Sequence, residues 1–303
     1  MSVLAGLGGA APSTVAPTRK ARSGAYLLLA PGMAYLGFFF VVPVVALLIT
    51  SLYVPVPGGD VGQFQPAFEW RNYVDALTTY WPQMVRSFAY ALMATVAALL
   101  IGYPMAYVIA IRARGRPFLQ GMLLVLVIAP FFTSFILRTI AWKQILADES
   151  FVVAALRAVS LLPPDGRLTA TSFAVVSGLT YNFLPFMTLP IYASLERLDL
   201  RLLEAGADLY ASGPTTFRKV TFPLSMPGVV SGTLLVFIPA SGDYVNSVLL
   251  GNNTTTMIGQ VIDSRFFKVS DYPTAAALSV ILMAAILLLV SLYIRRAGTE
   301  DLL

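Results

Sequence analysis

The sequence contains neither cysteine nor histidine, and only 12% of its residues carry a charge. The two absences exclude disulfides, thiolate nucleophiles, a histidine general base and zinc sites built from Cys and His. The sequence does not exclude catalysis by Asp or Glu carboxylates. The chain also lacks a G-x-x-x-x-G-K-[ST] phosphate loop, so ATP that drives it is expected to bind another chain. We predict no catalytic residue, no metal site and no cofactor.

Hydrophobic residues make up 57% of the 303 residues, and they are concentrated in long runs. About 20 residues at about 1.5 Å each cross a bilayer, and lipid leaves exposed backbone groups unsatisfied, so such runs are expected to be helices. The first run is too long for a signal-peptide core. The sequence predicts an all-α, polytopic transmembrane helical bundle with about six spans, at 26–53, 87–111, 118–137, 171–193, 229–250 and 275–294.

Positive charges alternate between the connections. The N-terminal tail, residues 112–116, the loop 195–228 and the C-terminal end hold 12 of the 20 Lys and Arg, but 6 of the 15 Asp and Glu. Loops rich in Lys and Arg stay in the cytoplasm, so both termini are predicted to be cytoplasmic. The net charge of +5 is spread over the ends of apolar runs, which indicates contact with membrane lipid rather than nucleic acid.

The composition divides the chain into three parts. Residues 1–24 are rich in Ala, Gly, Ser, Thr and Pro and are predicted to be a disordered cytoplasmic tail. Residues 25–297 are predicted to be one membrane domain, and 298–303 a C-terminal tail. Segment 54–86 is rich in aromatic residues and is expected to lie along the outer interface.

The loop 195–228 has helical periodicity. Its first apolar residues follow 3-4-3-4 spacing, which predicts one stripe along a helix, at Leu195, Leu198, Leu202, Ala205 and Leu209. Ser212 or Gly213 is expected to cap a second helix. On spacing alone this is an amphipathic hairpin on the membrane surface. Glu204 and Asp208 are like charges at i,i+4, which favours a cationic partner, although Arg201 also lies close enough to compensate.

The same loop carries a family resemblance. Residues 204–209 (EAGADL), followed by Ala211-Ser212, 217–224 (FRKVTFPL) and Pro227-Gly228, resemble the EAA loop of permease subunits of ABC-type importers, the MetI-like family. The resemblance implies a type I ABC importer permease fold. It also implies a coupling helix that docks on an ATP-binding subunit, with the contact residues Glu204, Ala205, Gly206, Asp208, Tyr210, Ser212, Phe217 and Arg218.

Two residues depart from that family pattern. Gly206 stands where the family usually has a second Ala, and Tyr210 stands where it usually has a Gly. A glycine at that bend permits unusual backbone angles or close approach, which Tyr210 does not readily provide. Gly213 is an alternative source of flexibility three residues later.

Other segments resemble spermidine/putrescine-type permeases, chiefly 130–135 (PFFTSF), 181–186 (YNFLPF), 189–195 (LPIYASL) and 237–244 (FIPASGDY). The resemblance implies a polyamine substrate, although permeases for other small solutes share much of this pattern. It implies residence in a bacterial inner membrane. The implied partners are two ATPase subunits, a homologous second permease that is a different chain, and an external solute-binding protein.

Asp243 lies inside the fifth apolar run, where a charge is costly unless it faces protein or water. Pro239 and Gly242 are expected to break the helix just before it and open a polar pocket. The predicted substrate pathway contains Asp243, Tyr244, Asn246, Tyr181, Asn182, Thr133, Arg138 and Trp142. An internal ion pair of Asp243 with Arg138 or Lys143 is the alternative, and Arg138 is otherwise expected to extend to the outer interface.

Two other function classes fit the hydropathy. A secondary transporter or channel is expected to show repeated halves with broken spans in matching positions, and the sequence shows neither. A membrane-embedded enzyme needs clustered carboxylates near one surface, yet Asp148 and Glu149 are predicted on the side opposite Glu204 and Asp208. An importer permease therefore agrees best with the sequence.

Overall fold

The computed structural model describes residues 19–297, so most of the two predicted tails lies outside the described residues. The chain divides into two compact units, Met1–Leu48 and Ile49–Leu303. The first unit contains most of helix α1 (Arg19–Thr50), which begins within the predicted N-terminal tail. Its segment Leu28–Thr50 is long and apolar enough to cross a membrane.

The second unit contains the remaining helices and one short hairpin. The hairpin pairs β1 (Val54–Pro55) with β2 (Phe64–Gln65) in antiparallel orientation. The helices are α2 (Arg71–Tyr107), α3 (Pro117–Ile128), α4 (Phe135–Ile145), α5 (Phe151–Ala158), α6 (Ser172–Glu196), α7 (Arg201–Asp208), α8 (Gly213–Thr216), α9 (Phe222–Leu224), α10 (Met226–Ser241), α11 (Val245–Leu250), α12 (Ile258–Asp263) and α13 (Tyr272–Ala297). Wider π-helical turns occupy Val108–Arg112, Phe217–Thr221 and Ser264–Lys268, and a 3₁₀ turn occupies Ala129–Phe132.

The described residues contain 4 helices that are long and apolar enough to span a membrane, or up to 6 spans if each of two bent helix pairs counts as one. The all-α membrane fold predicted from hydropathy is therefore confirmed, and the predicted number of about six spans equals the upper count. The third span is Pro117–Phe132 followed by Phe135–Ile145, bent by 101°. The second bend, of 65°, joins Gly213–Leu224 to Met226–Ser241.

Each bend has a local cause. At the first, Pro130 closes a 3₁₀ turn, and Thr133 leaves it with an extended ψ of 148°. The Thr133 hydroxyl donates to the carbonyl of Pro130 at 2.8 Å, and the Thr133 N–H donates to the same carbonyl at 3.1 Å, so the turn is closed by two bonds. At the second bend, buried Ser225 separates α9 from α10, and its hydroxyl donates to the carbonyl of Phe222 at 2.9 Å.

Helix α2 starts at Arg71, so the prediction that all of segment 54–86 lies along the interface is wrong for its last part. The physical reason is a stripe at helical spacing. Tyr73, Ala76, Tyr80 and Met84 pack with Ile258 of α12 and with Leu278 and Leu282 of α13. The aromatic content suggested an interface, but tertiary packing of this stripe makes the segment an extension of α2.

Helices α2, α6 and α10 form the core of the second unit through small residues. Ala91, Ala94 and Ala98 of α2 are fully buried. A Cβ added at Gly102 would meet the Thr188 hydroxyl at 2.9 Å, and one added at Gly228 would meet the Pro190 carbonyl at 2.5 Å. Small residues that let helix backbones approach closely are the usual way in which helices associate inside lipid.

Segments predicted on the same side of the membrane lie against each other. The Arg114 guanidinium donates to the carbonyl of Leu198 at 2.9 Å and to that of Glu196, which joins the connection after α2 to the start of loop 195–228. At another place, the ring of Phe64 in the hairpin lies 5.9 Å from the ring of Tyr272 at the start of α13. Both contacts agree with the predicted alternation of loops.

Candidate functional site

The predicted site residues fall into two groups within the second unit. One group belongs to loop 195–228, between α6 and α10. The other surrounds the break between α10 and α11, and includes residues of α4 and α6. The two groups come from different elements.

Loop 195–228 contains several short elements rather than two longer helices. Leu195 belongs to α6, and α7 begins only at Arg201, whose backbone N–H donates to the carboxylate of Asp199 at 3.0 Å. The predicted single stripe is therefore wrong, because this side-chain bond gives the backbone an alternative to a continuous helix. Leu195 is fully buried, whereas Leu209 is 81% exposed.

Every residue of α7 is exposed or half-buried. The carboxylates of Glu204 and Asp208 and the side chain of Ala205 are exposed. This helix of 8 residues presents two acidic side chains and a small apolar one, with little support from the rest of the unit. Such a surface suits docking to another chain, and the contact role of these residues stays a prediction.

Tyr210 ends α7 in a left-handed conformation, with φ of +55° and a side chain that is 99% exposed. Its N–H donates to the carbonyl of Ala207 at 2.9 Å, and the N–H of Ala211 donates to the carbonyl of Gly206 at 3.0 Å. This pair of bonds is the Schellman motif, which glycine usually closes. Tyr210 therefore adopts the geometry of the glycine that it replaces in the family pattern.

Gly206 and Ser212 shape the turn into α8. A Cβ added at Gly206 would meet the Oγ1 and Cγ2 atoms of Thr216 at 3.1 and 3.2 Å, so an alanine here would press on Thr216. Ser212 occupies the N-cap position of α8, but its side chain accepts no capping hydrogen bond, and a proline stands in the first turn. Its hydroxyl shares a hydrogen bond of 2.8 Å with the Thr215 hydroxyl.

Phe217 and Arg218 are adjacent but lie in different surroundings. Arg218 is exposed. The ring of Phe217 lies 5.5 Å from the ring of Tyr103 and 6.3 Å from that of Tyr107, both in α2. The ring therefore anchors the loop to α2, whereas Arg218 is free to meet another chain.

The predicted break in the fifth span is present between α10, which ends at Ser241, and α11, which begins at Val245. Asp243 lies in this break and is only 8% exposed. Its Oδ1 atom accepts a hydrogen bond of 2.8 Å from the backbone N–H of Asn246, so it satisfies an open N–H at the start of α11. None of the ion pairs formed by described residues includes Asp243.

A buried polar cluster links this break to α4 and α6. The amide nitrogen of Asn182 donates to the Thr139 hydroxyl at 3.0 Å and to Asn246 Oδ1 at 3.1 Å. All three residues are at most 1% exposed. Within the described part of the chain, Asn182 Oδ1 and Asn246 Nδ2 are buried without a hydrogen-bond partner. Unsatisfied buried polar atoms are costly, which marks the cluster as a functional candidate.

The remaining predicted pathway residues are only partly brought together. Trp142 stacks on Tyr181 with a ring separation of 5.3 Å and an interplanar angle of 1°, and its indole N–H donates to Ser177 Oγ at 3.1 Å. Tyr181 and Tyr244 are partly exposed, at 38% and 46%. Thr133 is exposed and hydrogen-bonded at the bend of the third span.

Arg138 does not form the ion pair that was the alternative prediction for Asp243. Its guanidinium lies over the ring of Phe135, 5.6 Å from the centroid. Within the described part of the chain, its Nε and Nη1 atoms are buried without a hydrogen-bond partner. Lys143, the other candidate partner, is exposed.

Several residues of both groups are not among those predicted from the sequence. Thr139 is fully buried and accepts from Asn182, and Gln260 of α12 accepts from the Ser247 hydroxyl at 2.7 Å. Tyr103 is also missed; its hydroxyl shares a hydrogen bond of 2.8 Å with Ser225 Oγ. The sequence marks such residues only as polar positions within otherwise apolar runs. It does not show their hydrogen-bond partners, which lie far away in sequence.

The fold is that of the membrane subunits of ABC importers. A solved bacterial ABC transporter that imports the acidic polysaccharide alginate matches with a TM-score of 0.65 and 17% identity, over 92% of this chain and 96% of the matched chain. The MetNI methionine ABC transporter in an inward-facing form matches with a TM-score of 0.55 and 16% identity, over 71% of this chain and 93% of the matched chain.

Residues 98–297 match the family described as binding-protein-dependent transport system inner membrane component, and the chain belongs to this family. It is 35% identical to the spermidine/putrescine transport system permease protein PotB of Haemophilus influenzae, over 86% of this chain and 90% of the relative. The PotB protein of Escherichia coli is 37% identical over 78% of this chain and 85% of the relative. The permease family predicted from the EAA-type loop is therefore confirmed.

Proposed function

We propose that this chain forms one half of the translocation pathway of an ATP-driven importer of polyamines. The names of its relatives support this substrate class, since two spermidine/putrescine permeases are 35% and 37% identical to it over most of its length. The observation on this chain that carries the proposal is the carboxylate of Asp243, which is buried at the break in a span and has no cationic partner among the described residues.

The polar cluster suits a small organic cation. A carboxylate at membrane depth attracts an ammonium group strongly, because little water is present to screen the charge. Asn182 and Asn246 connect Asp243 to α6, and Tyr181, next to Asn182 in sequence, stacks with Trp142. Aromatic faces attract ammonium groups through their quadrupole. We therefore infer that Asp243 supplies the charge, while the asparagines and the aromatic pair line the path.

The partners follow from the exposed coupling segment and from the relatives. Two ATPase subunits are proposed to drive the complex, one of them docking on α7 of this chain. A homologous, different permease is proposed as the other half; the PotC permease of Escherichia coli, which is 31% identical over 59% of this chain and 60% of the relative, supports this. An external solute-binding protein delivers the substrate. The complex resides in a bacterial inner membrane with both termini of this chain in the cytoplasm.

Arg138 favours a second candidate, an importer of a small anionic solute. Its half-buried guanidinium has two nitrogen atoms without hydrogen-bond partners in the described part of the chain. Such a group suits a carboxylate or phosphate ligand. Asp243 and Arg138 therefore favour opposite charges of substrate, and an experiment on the substrate separates them.

The direct test is ATPase stimulation of the purified complex, reconstituted with its partner subunits. Spermidine, putrescine, maltose, citrate and phosphate are each supplied with the solute-binding protein. The proposal expects stimulation by spermidine or putrescine and basal rates with the other solutes. Stimulation by citrate or phosphate alone would instead support the anionic candidate, and stimulation by maltose alone would contradict both.

Asp243→Asn tests the role of the charge separately from the role of the cap, because asparagine also caps helices. We expect uptake of radiolabelled spermidine to fall about tenfold or more, since a hydrogen bond to a charged group contributes about 1.5 kcal/mol or more. Asp165→Asn, an exposed carboxylate in the connection before α6, is the control and should leave uptake unchanged. Unchanged uptake in Asp243→Asn would contradict the role of this residue in the pathway.

A further inference from the structure

Both ends of loop 195–228 are held by one span that is distant in sequence. At the start of the loop, Arg114, just after α2, donates hydrogen bonds to the carbonyls of Glu196 and Leu198. At the end of the loop, the side chains after α8 pack on α2 itself. Between these two attachments, α7 has only exposed and half-buried residues. The middle of the loop is thus exposed, and its two ends are held by the connection after α2 and by α2 itself.

The attachment at the end of the loop is a cluster of four aromatic rings, which we call the aromatic latch: Tyr103, Tyr107, Phe217 and Phe222. Phe217 lies at its centre, with its ring 5.5 Å from Tyr103, 6.3 Å from Tyr107 and 6.0 Å from Phe222. Two of these contacts are edge-to-face, at 84° and 75°, which is a favourable geometry for aromatic pairs.

A buried hydrogen bond completes the latch. The Tyr103 hydroxyl shares a 2.8 Å hydrogen bond with Ser225, which is fully buried at the 65° bend between α9 and α10. The latch therefore fixes the bend as well as the loop. The two segments that meet in the latch both have wide turns there. One π-helical turn begins directly after Tyr107, and the other begins at Phe217. Turns of this kind frequently mark functional positions in helices.

We propose that the aromatic latch makes α2 the span that receives the movement of the coupling segment, so that α7, the latch and the end of α2 move as one body. The sequence neighbours of the loop are α6 and α10, but neither supplies a ring to the latch. Packed aromatic rings transmit displacement, because a close-packed group has few alternative arrangements. In this role Tyr103, Tyr107, Phe217 and Phe222 are positioning residues. The inference rests on the proposed function, since an ATPase partner must drive α7.

The first test measures spermidine imported per ATP hydrolysed by the complete complex in proteoliposomes. Phe217→Leu keeps an apolar side chain but removes the ring, and Tyr103→Phe removes only the hydroxyl. We expect the ratio to fall about tenfold in Phe217→Leu and less in Tyr103→Phe, because the aromatic contacts outnumber the hydrogen bond. ATP hydrolysis should persist in both variants. Phe118→Leu, at a ring that is 85% exposed, is the matched control.

The outcomes separate the inference from the proposed function. An unchanged ratio in Phe217→Leu, or equal losses of hydrolysis and uptake, would overturn the inference, because a merely structural role lowers both rates together. If the complex with the unsubstituted chain imports no spermidine, the proposed function fails and the inference fails with it. Import by the unsubstituted chain combined with an unchanged variant ratio overturns the inference alone.

The second test restores the latch by a covalent bond. The natural chain has no cysteine, so Tyr107→Cys with Phe217→Cys places the only two thiols of the chain at the latch. Before cross-linking, the double variant should show a low ratio of import to hydrolysis. A short bifunctional thiol reagent should then raise the ratio at least threefold, because it joins the two parts that we infer to move together. A cross-link that leaves the ratio low or abolishes import would show relative sliding and overturn the inference.

Discussion

At the end of α7 the chain turns through Tyr210, whose φ of +55° lies in a region that non-glycine residues enter at a cost. The two hydrogen bonds of the turn hold it there, and the exposed ring makes no compensating contact with the unit. The strain is expected to be about 1 kcal/mol or more, the usual cost of a non-glycine residue in this region. Glycine would therefore form this turn with less strain than Tyr210 does.

Substitutions at Tyr210 should change the stability of this turn in a fixed order. Tyr210→Gly should stabilise it by about 1 kcal/mol, and Tyr210→Val should destabilise it, because β-branched residues are the least tolerant of positive φ. Hydrogen exchange of the Ala211 amide, which closes the turn on Gly206, reports the change. Exchange in Tyr210→Val that is no faster than in the unsubstituted chain would contradict the interpretation.

At the scale of helices, close approach depends on glycines at particular contacts. Gly228 of α10 lies against α6, where an added Cβ would meet the Pro190 carbonyl at 2.5 Å and the Ser194 hydroxyl at 2.6 Å. These contacts involve backbone as well as side-chain atoms, so neither helix is able to yield cheaply. We expect Gly228→Ala to lower stability by about 1–3 kcal/mol through overpacking.

The matched control for this prediction is Gly121→Ala in α3, where an added Cβ meets nothing within 4 Å. Alanine favours a helix interior over glycine by about 1 kcal/mol, so this variant should be neutral or slightly more stable. Thermal unfolding of the detergent-purified protein compares the two. Equal melting temperatures would mean that α6 and α10 do not approach as closely as described.

The asparagine pair joins α6 to α11 across the break. Because Asn182 donates to Asn246 at 3.1 Å in a fully buried place, their substitutions should not be additive. A double-mutant cycle with Asn182→Ala and Asn246→Ala should give a coupling free energy of about 0.6–1.7 kcal/mol, the range for hydrogen bonds between helices in lipid. Thr188→Ala, at a buried residue of α6 that donates within its own helix, provides the control pair with Asn246→Ala and should be additive.

At the scale of the whole molecule, the direction of the spans follows from the alternation of charged loops. The proposed orientation places Tyr210 in the cytoplasm and Val61, in the hairpin connection, outside. Both side chains are strongly exposed, at 99% and 88%, and the chain has no cysteine of its own. When this chain is expressed without its ATPase partners, a membrane-impermeant maleimide should therefore label Tyr210→Cys only in inside-out vesicles and Val61→Cys only in spheroplasts. Labelling of both variants from the same side would contradict the topology.

The break at Asp243 and the short loop helices show how far sequence reasoning reached. Pro239, Gly242 and a charge within an apolar run predicted the break, and the structure has it between Ser241 and Val245. The stripe from Leu195 to Leu209 was wrong, because one carboxylate bond at Asp199 divides it. The spacing of apolar residues predicts which residues share a helix face, but it does not show where the helix ends. A single hydrogen bond from a side chain to the backbone is sufficient to end it.

Hydropathy, charge alternation and the EAA-type segment determined the membrane class, the number of apolar runs and the permease family, because each of these depends on neighbours along the chain. Tertiary structure alone decided that α2 extends to Arg71, that Asn182 meets Asn246 and that Phe217 packs on Tyr103. These contacts join positions that are far apart in sequence, and their partners are set by how α2, α6 and α10 pack. A single sequence records the residue types but not the helix faces that meet.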